Sequence, residues 1–241
     1  MFGVPIFQYI SQGDYMSAFA YVIGAVIIIF LVFPFHESAH GWMANKLGDP
    51  TARYAGRLSF NPMRHIDWFG AALIMFSGYG WAKPVPVNMY NFKHPKRDMA
   101  ITALAGPVSN LLMGLVASFL ANGLAVVYNN FFLTPNKGMV YTIFLILVGI
   151  LVTVSEISVG LAVFNLIPIP PLDGSRLLTA LLPDRLYYQI MAYERYIVMG
   201  LFFLIFMGVL DGPLSFLRYY AMSGIEWLAE FPFRLFMESA V

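Results

Sequence analysis

The stretch YMSAFAYVIGAVIIIFLVFPFHESAH, residues 15–40, decides the fold. From Tyr15 to Phe35 it carries no charge, and about 20 apolar residues suffice to cross the hydrocarbon of a bilayer as a helix. Two more such runs follow. Met99 to Asn136 is uncharged, and Gly138 to Leu172 holds Glu156 as its one charged residue. Tyr196 to Leu210 is shorter and is completed by the half-polar segment before it. Apolar residues make up 59% of the 241 and charged residues 11%, against about 25% charged in soluble domains. The expectation is an all-α integral membrane protein with about four transmembrane helices, over 16–47, 99–129, 138–167 and 190–211, in one membrane-embedded domain across 1–241. Trp68–Trp81 is too short to cross and reads as part of a re-entrant segment or β-hairpin over 67–90. After Gly212-Pro213, Glu226, Glu230, Arg234 and Glu238 recur every four residues, with Trp227, Phe231, Phe233 and Phe236 left to face lipid. That pattern predicts an interfacial C-terminal helix within 213–241, interrupted at Pro232.

Charge orients the chain. The net charge of +1 gives no case for nucleic acid, and the absence of cysteine excludes disulfides and thiolate catalysis. No Lys or Arg precedes Lys46, so the first run lacks the basic start of a secretory signal and is expected to stay as a membrane helix. Eight of the fourteen Lys and Arg lie between Lys46 and Arg97. Positive charge marks the cytoplasmic side, which places 48–98 and 173–190 in the cytoplasm and the N-terminus outside. The C-terminal ends of the first and third helices then share one side of the membrane. His36 and His40 sit near one of these ends and Asp173 at the other.

His36-Glu37-Ser38-Ala39-His40 is an H-E-x-x-H sequence at the end of an apolar helix. Residues i and i+4 share a helix face, so both imidazoles reach one ion, with Glu37 displaced sideways where it can take the proton of a water. The alternative is a pair of hydrogen-bonded histidines at a membrane interface. A catalytic zinc takes a third protein ligand and keeps one open position. Asn165-Leu-Ile-Pro-Ile-Pro-Pro-Leu-Asp173-Gly174 offers Asp173, placed on the histidine side by the topology and followed by a glycine that permits a tight turn. Asp173 could instead cap the helix that follows it. Two histidines and one carboxylate suit Zn2+, one per chain.

These residues resemble the site-2 proteases. His36-Glu37-x-x-His40 is followed about 130 residues later by Asn165-x-x-Pro168-x-x-x-Leu172-Asp173-Gly174. Between them, Gly80-Trp81-Ala82-Lys83-Pro84-Val85-Pro86-Val87-Asn88 and Ala105-Gly106-Pro107-x-x-Asn110 are similar to stretches of bacterial members. The resemblance covers roughly residues 30–180. It implies zinc held by His36, His40 and Asp173, Glu37 as general base, and cleavage of transmembrane substrates in a bacterial cell membrane. Within these 241 residues, the PDZ or CBS domains of some relatives are not expected.

The remaining polar residues have readings of their own. Val85 and Val87 keep donors on one edge of the 83–88 segment, where Pro84 and Pro86 have none on the other. Together with Asn88 that edge could receive an unwound substrate strand; alternatively the prolines block unwanted pairing. Gly106, Asn110 and Gly114, at i, i+4 and i+8, read first as a small-residue packing stripe, and second as placing Asn110 on the substrate. Asn165 could hydrogen-bond a substrate carbonyl or satisfy a backbone carbonyl freed by Pro168. Glu156 stands alone in mid-helix, about 13 Å from Asn165 along the axis. It reads as either a protonated, hydrogen-bonded carboxyl or the lining of a watery groove.

The function read from the sequence is a zinc metalloendopeptidase acting on single-span transmembrane substrates near the cytoplasmic side of the bilayer. A regulatory membrane partner or a homo-oligomer fits the same reading. The competing readings are a membrane zinc-binding or transport protein, a catalytically silent scaffold, and a membrane hydrolase that trims lipidated peptides. A transporter would place polar groups at mid-membrane on several helices, where the sequence offers Glu156.

Overall fold

The computed structural model describes residues 6–77, 80–131 and 138–234, and among these it contains helices and no β-strand. A short α1 (Ile6–Ser11) leads to α2 (Tyr15–Ile27), which Asp14 caps by accepting the Ser17 N–H at 3.0 Å. The axis then continues through a π turn, Ile28–Val32, into α3 (Phe33–Leu47), making one rod from Tyr15 to Leu47. The π turn has a local cause. Pro34 has no N–H for the Phe30 carbonyl, and its ring crowds that oxygen, so the ladder widens and the Phe33 N–H reaches back to Ile28 O. Gly48, at φ 111°, ends the rod in the left-handed region that favours glycine.

The chain next forms α4 (Thr51–Tyr54) and α5 (Trp68–Ser77), then the long α6 (Pro95–Phe131) and α7 (Met139–Asn165). The rod, α6 and α7 are the three helices long and apolar enough to cross a membrane. They pack through small residues. A Cβ on Gly24 would lie 2.6 Å from Thr153 Cγ2, and one on Gly114 would lie 2.7 Å from Val159 Cγ2. Ser155 Oγ donates to Gly114 O at 2.9 Å across the α6–α7 seam. Without a hydrophobic force between helices in lipid, such close approach and such bonds hold the bundle.

The re-entrant segment is built from a helix where the sequence reading allowed a β-hairpin. α5 is apolar and makes its backbone hydrogen bonds within the helix. It docks on the rod through Tyr21 Oη, which donates to Ile74 O at 2.8 Å. Its return leg passes so close that a Cβ on Gly80 would meet Gly70 O at 2.2 Å. Residues 78–79 of the expected hairpin lie outside the described ones.

The fourth transmembrane helix expected over 190–211 is divided. After α8 (Gly174–Leu181) come α9 (Asp184–Ala192) and α10 (Glu194–Phe206), which break at Tyr193. The 13 residues of α10 span about 20 Å at 1.5 Å per residue, short of a 30 Å hydrocarbon core. α11 (Asp211–Glu230), in the region expected to form an interfacial helix, packs along α6 and α7. Arg218 pairs with Glu156 at 2.9 Å, and Phe233 packs on Phe119 with ring centroids 4.9 Å apart and the rings tilted by 42°. Pro232 lies in a final 3-10 turn, Phe231–Phe233, after the helix has ended. Residues 235–241 of that expected helix, with Phe236 and Glu238, lie outside the described ones.

Candidate metal centre

α3 presents His36 and His40 one turn apart, with their rings edge-on at 84° and both buried. Their Nε2 atoms are 3.1 Å apart, and each lies 3.2 Å from Asp173 Oδ2. Ligands bound tetrahedrally at about 2.0–2.1 Å are separated by about 3.3 Å, so three edges of a zinc coordination tetrahedron are already in place. The protonation pattern agrees. His40 Nδ1 lies 2.8 Å from Thr102 O. A carbonyl only accepts, so that nitrogen carries a proton, and in the neutral imidazole Nε2 is the atom left to bind a metal. It faces another imidazole nitrogen and a carboxylate oxygen, an arrangement that a bound cation would hold together. His36, His40 and Asp173 form a cluster able to hold a metal ion.

Asp173 is at the N-cap position of α8 but makes no capping hydrogen bond. Its carboxylate points to the histidines. Gly174 is required by the turn, since a Cβ there would lie 2.3 Å from Leu166 O and 2.5 Å from Ile167 O.

Gly106 has a role that sequence spacing did not disclose. A Cβ on it would meet His40 Nε2 at 2.2 Å and His36 Cε1 at 2.6 Å. α6 therefore presents bare backbone to the two imidazoles, while Gly114, two turns on, serves helix packing as expected. Asn110 lies between them, 1% exposed, and its Oδ1 is buried with no partner among the described residues.

Glu37 is buried, and its Oε2 accepts the Val85 N–H at 2.9 Å. A ring of bonds leads from there back to the same helix. Lys83 N–H donates to His65 O at 2.8 Å. His65 Nε2 donates to Ser59 O at 2.6 Å, and Ser38 Oγ donates to the same oxygen at 3.1 Å. Arg57 Nη2 adds a bond to Lys83 O at 2.5 Å. Burial, reinforced by Arg57, holds the His65 pKa below its ordinary value. His65 is fully buried in this ring. The donor edge assigned to Val85 is engaged within the chain at Lys83 and Val85. Pro84, Pro86 and Asn88 are exposed, while Val85 and Val87 are partly buried. The far end of the segment is fixed by Asp49, which accepts the Asn88 N–H and Asn91 Nδ2, each at 2.7 Å.

Asn165 ends α7 half-buried and makes no side-chain hydrogen bond among the described residues, so it does not satisfy a carbonyl freed by Pro168 there. Glu156 stands apart from the metal cluster, on Arg218.

The comparisons with known proteins meet this geometry. A model of the family described as Peptidase family M50 matches residues 24–209. The chain is 37% identical over 171 residues to the protein named "Putative zinc metalloprotease YwhC" of Bacillus subtilis (strain 168), covering 71% of this chain and 74% of that one. No solved structure matches. With its H-E-x-x-H helix and Asp173 lying inside the matched region, the chain belongs to peptidase family M50, the site-2 protease family of membrane metalloproteases.

Proposed function

We propose that the protein is a zinc metalloendopeptidase that cuts single-span transmembrane proteins near the cytoplasmic side of a bacterial cell membrane, as a step of regulated intramembrane proteolysis. One observation carries this reading. Three ligand atoms at tetrahedral spacing lie beside a buried carboxylate, Glu37, on a rod apolar enough to span a bilayer. One zinc per chain, held by His36, His40 and Asp173, would supply Lewis acidity toward the scissile carbonyl and bring the pKa of a water near 7.

The chain's own residues do the rest. A substrate helix has its backbone bonds made internally and must unwind to be cut. The extended peptide takes over the Val85 N–H and the Lys83 carbonyl, which Glu37 and Arg57 hold at rest. Glu37, released from Val85, removes a proton from the attacking water and returns one to the leaving amine. Asn165, with its amide uncommitted, donates to the peptide carbonyl. Glu156, the residue a transporter reading would use, is committed to Arg218.

The test pairs metal analysis with a cleavage panel of single-span substrates, for the purified wild type and Glu37→Gln. One zinc in both proteins with cleavage by the wild type alone is the expected result. Cleavage by Glu37→Gln would remove the assigned base.

A further inference from the structure

Asp49 lies two residues beyond the metal-binding helix, outside its motif, and is fully buried. A buried carboxylate is costly unless its acceptor sites are filled, and here they are. It accepts from the Asn88 N–H and Asn91 Nδ2 at 2.7 Å, the Thr51 N–H at 3.0 Å and Thr51 Oγ1 at 2.5 Å. Those bonds keep it ionised: burial pushes its pKa up, and the bonds from Thr51, Asn91 and Asn88 bring it below the ordinary value.

The partners of Asp49 are unevenly placed. Thr51 is local, whereas Asn88 and Asn91 close the segment whose other end meets Glu37 and Arg57. Between the two ends, Val85 Cγ1 packs where a Gly41 Cβ would be, 3.2 Å away, and Val87 and Met89 pack against the cluster of Ala44, Phe92 and Met99. The segment thus runs alongside α3. It is clamped at Asn88 by a buried carboxylate and held at 83–85 by groups that a peptide can replace. A strand slipped by one residue turns every side chain and every backbone group to the opposite side, so whatever fixes Asn88 also fixes which N–H meets the site.

We propose that Asp49 is a positioning residue that sets the register of the 83–88 edge on α3, and thereby which peptide bond of the substrate reaches Glu37. This rests on the reading that the edge receives substrate and that Glu37 is the base. Asp49 itself touches no reacting atom.

The experiment uses the full chain in detergent or bilayer and the substrate that the wild type cuts best. Asp49→Asn keeps size but puts an NH2 in place of Oδ2, which accepts the Asn88 N–H, or of Oδ1, which accepts the other three donors. Asn91→Ala leaves Asp49 in place and removes one donor. Bound metal, kcat and KM, and the cleaved bond identified by product mass are measured for each. Asp49→Asn is expected to retain about one zinc, to lose roughly tenfold in kcat/KM, and to spread cleavage onto neighbouring bonds. Asn91→Ala should do the same more weakly. Amide exchange over 83–91, read without substrate, should quicken by about tenfold or more in Asp49→Asn, with the H-E-x-x-H helix unchanged. A single wild-type cut site at wild-type efficiency overturns the proposal. So does loss of metal together with activity, which would mark Asp49 as a general structural residue. If Glu37→Gln proves active, the base assignment falls, and the exchange rates still decide whether Asp49 clamps the segment.

Discussion

At the scale of single residues, the site depends as much on an absent side chain as on those present. Gly106 lies where any Cβ would sit 2.2 Å from His40 Nε2, in the cluster able to hold a metal. The obstruction is an imidazole pinned by Thr102 O, not a flexible chain end. Gly106→Ala should therefore weaken metal binding by at least about tenfold, measured as zinc retained against a chelator, while Gly200→Ala, with nothing near its Cβ, should leave it unchanged. The cluster able to hold a metal, His36, His40 and Asp173, was legible in the sequence. A helix places i and i+4 on one face, and counting membrane crossings brings Asp173 to the same side. Gly106 was not legible as their neighbour. It shares a small-residue stripe with Gly114, and spacing along one helix does not say that one glycine faces a helix backbone and the other an imidazole. The ring through His65 was hidden for a related reason, since its bonds run through main-chain atoms that every residue possesses.

At the scale of elements, Glu156 shows what sequence periodicity leaves out. An intramembrane carboxyl asks for a partner, and Arg218 lies 62 positions away on a helix that its polar stripe placed at the surface. The structure lays α11 against α7 through this pair, with Asp211, Ser215, Tyr219 and Glu226 around it. The pair is charge-specific, so its contribution can be separated from packing. Arg218→Glu should loosen α11, seen as faster proteolysis within 211–230 and a lower midpoint of thermal unfolding, because two carboxylates then oppose each other. The exchange Glu156→Arg with Arg218→Glu should restore most of the loss, whereas either change alone should not. If the exchanged pair is as labile as the single variants, the contact between α7 and α11 is held by packing and not by charge. Other elements were readable only in outline. α10 is shorter than the span expected there, and what ties it to the re-entrant segment is the edge-on approach of Phe202 to Trp81, with centroids 6.3 Å apart.

At the scale of the molecule, the three longest apolar runs became the three long helices, because in lipid only internal hydrogen bonding can satisfy a backbone. Their sidedness is a matter of charge. The residues that gather Lys and Arg, 46–97, include the segment that covers Glu37, so positive-inside orientation would put the catalytic end of the rod in the cytoplasm. A chain without native cysteine lets this be tested one position at a time. Tyr54 and Tyr90, both within 46–97, are 84% and 83% exposed, and Met139 is 80% exposed at the start of α7, the opposite end of that helix from Asp173. In intact cells, a cysteine at Met139 should react with a membrane-impermeant maleimide. Cysteines at Tyr54 or Tyr90 should react only after the membrane is opened. The reverse pattern would invert the protein and move cleavage to the outer side, with the metal geometry untouched. Labelling of all three from one side would break the premise that α6 and α7 both cross, and with it the reason His36, His40 and Asp173 share a depth.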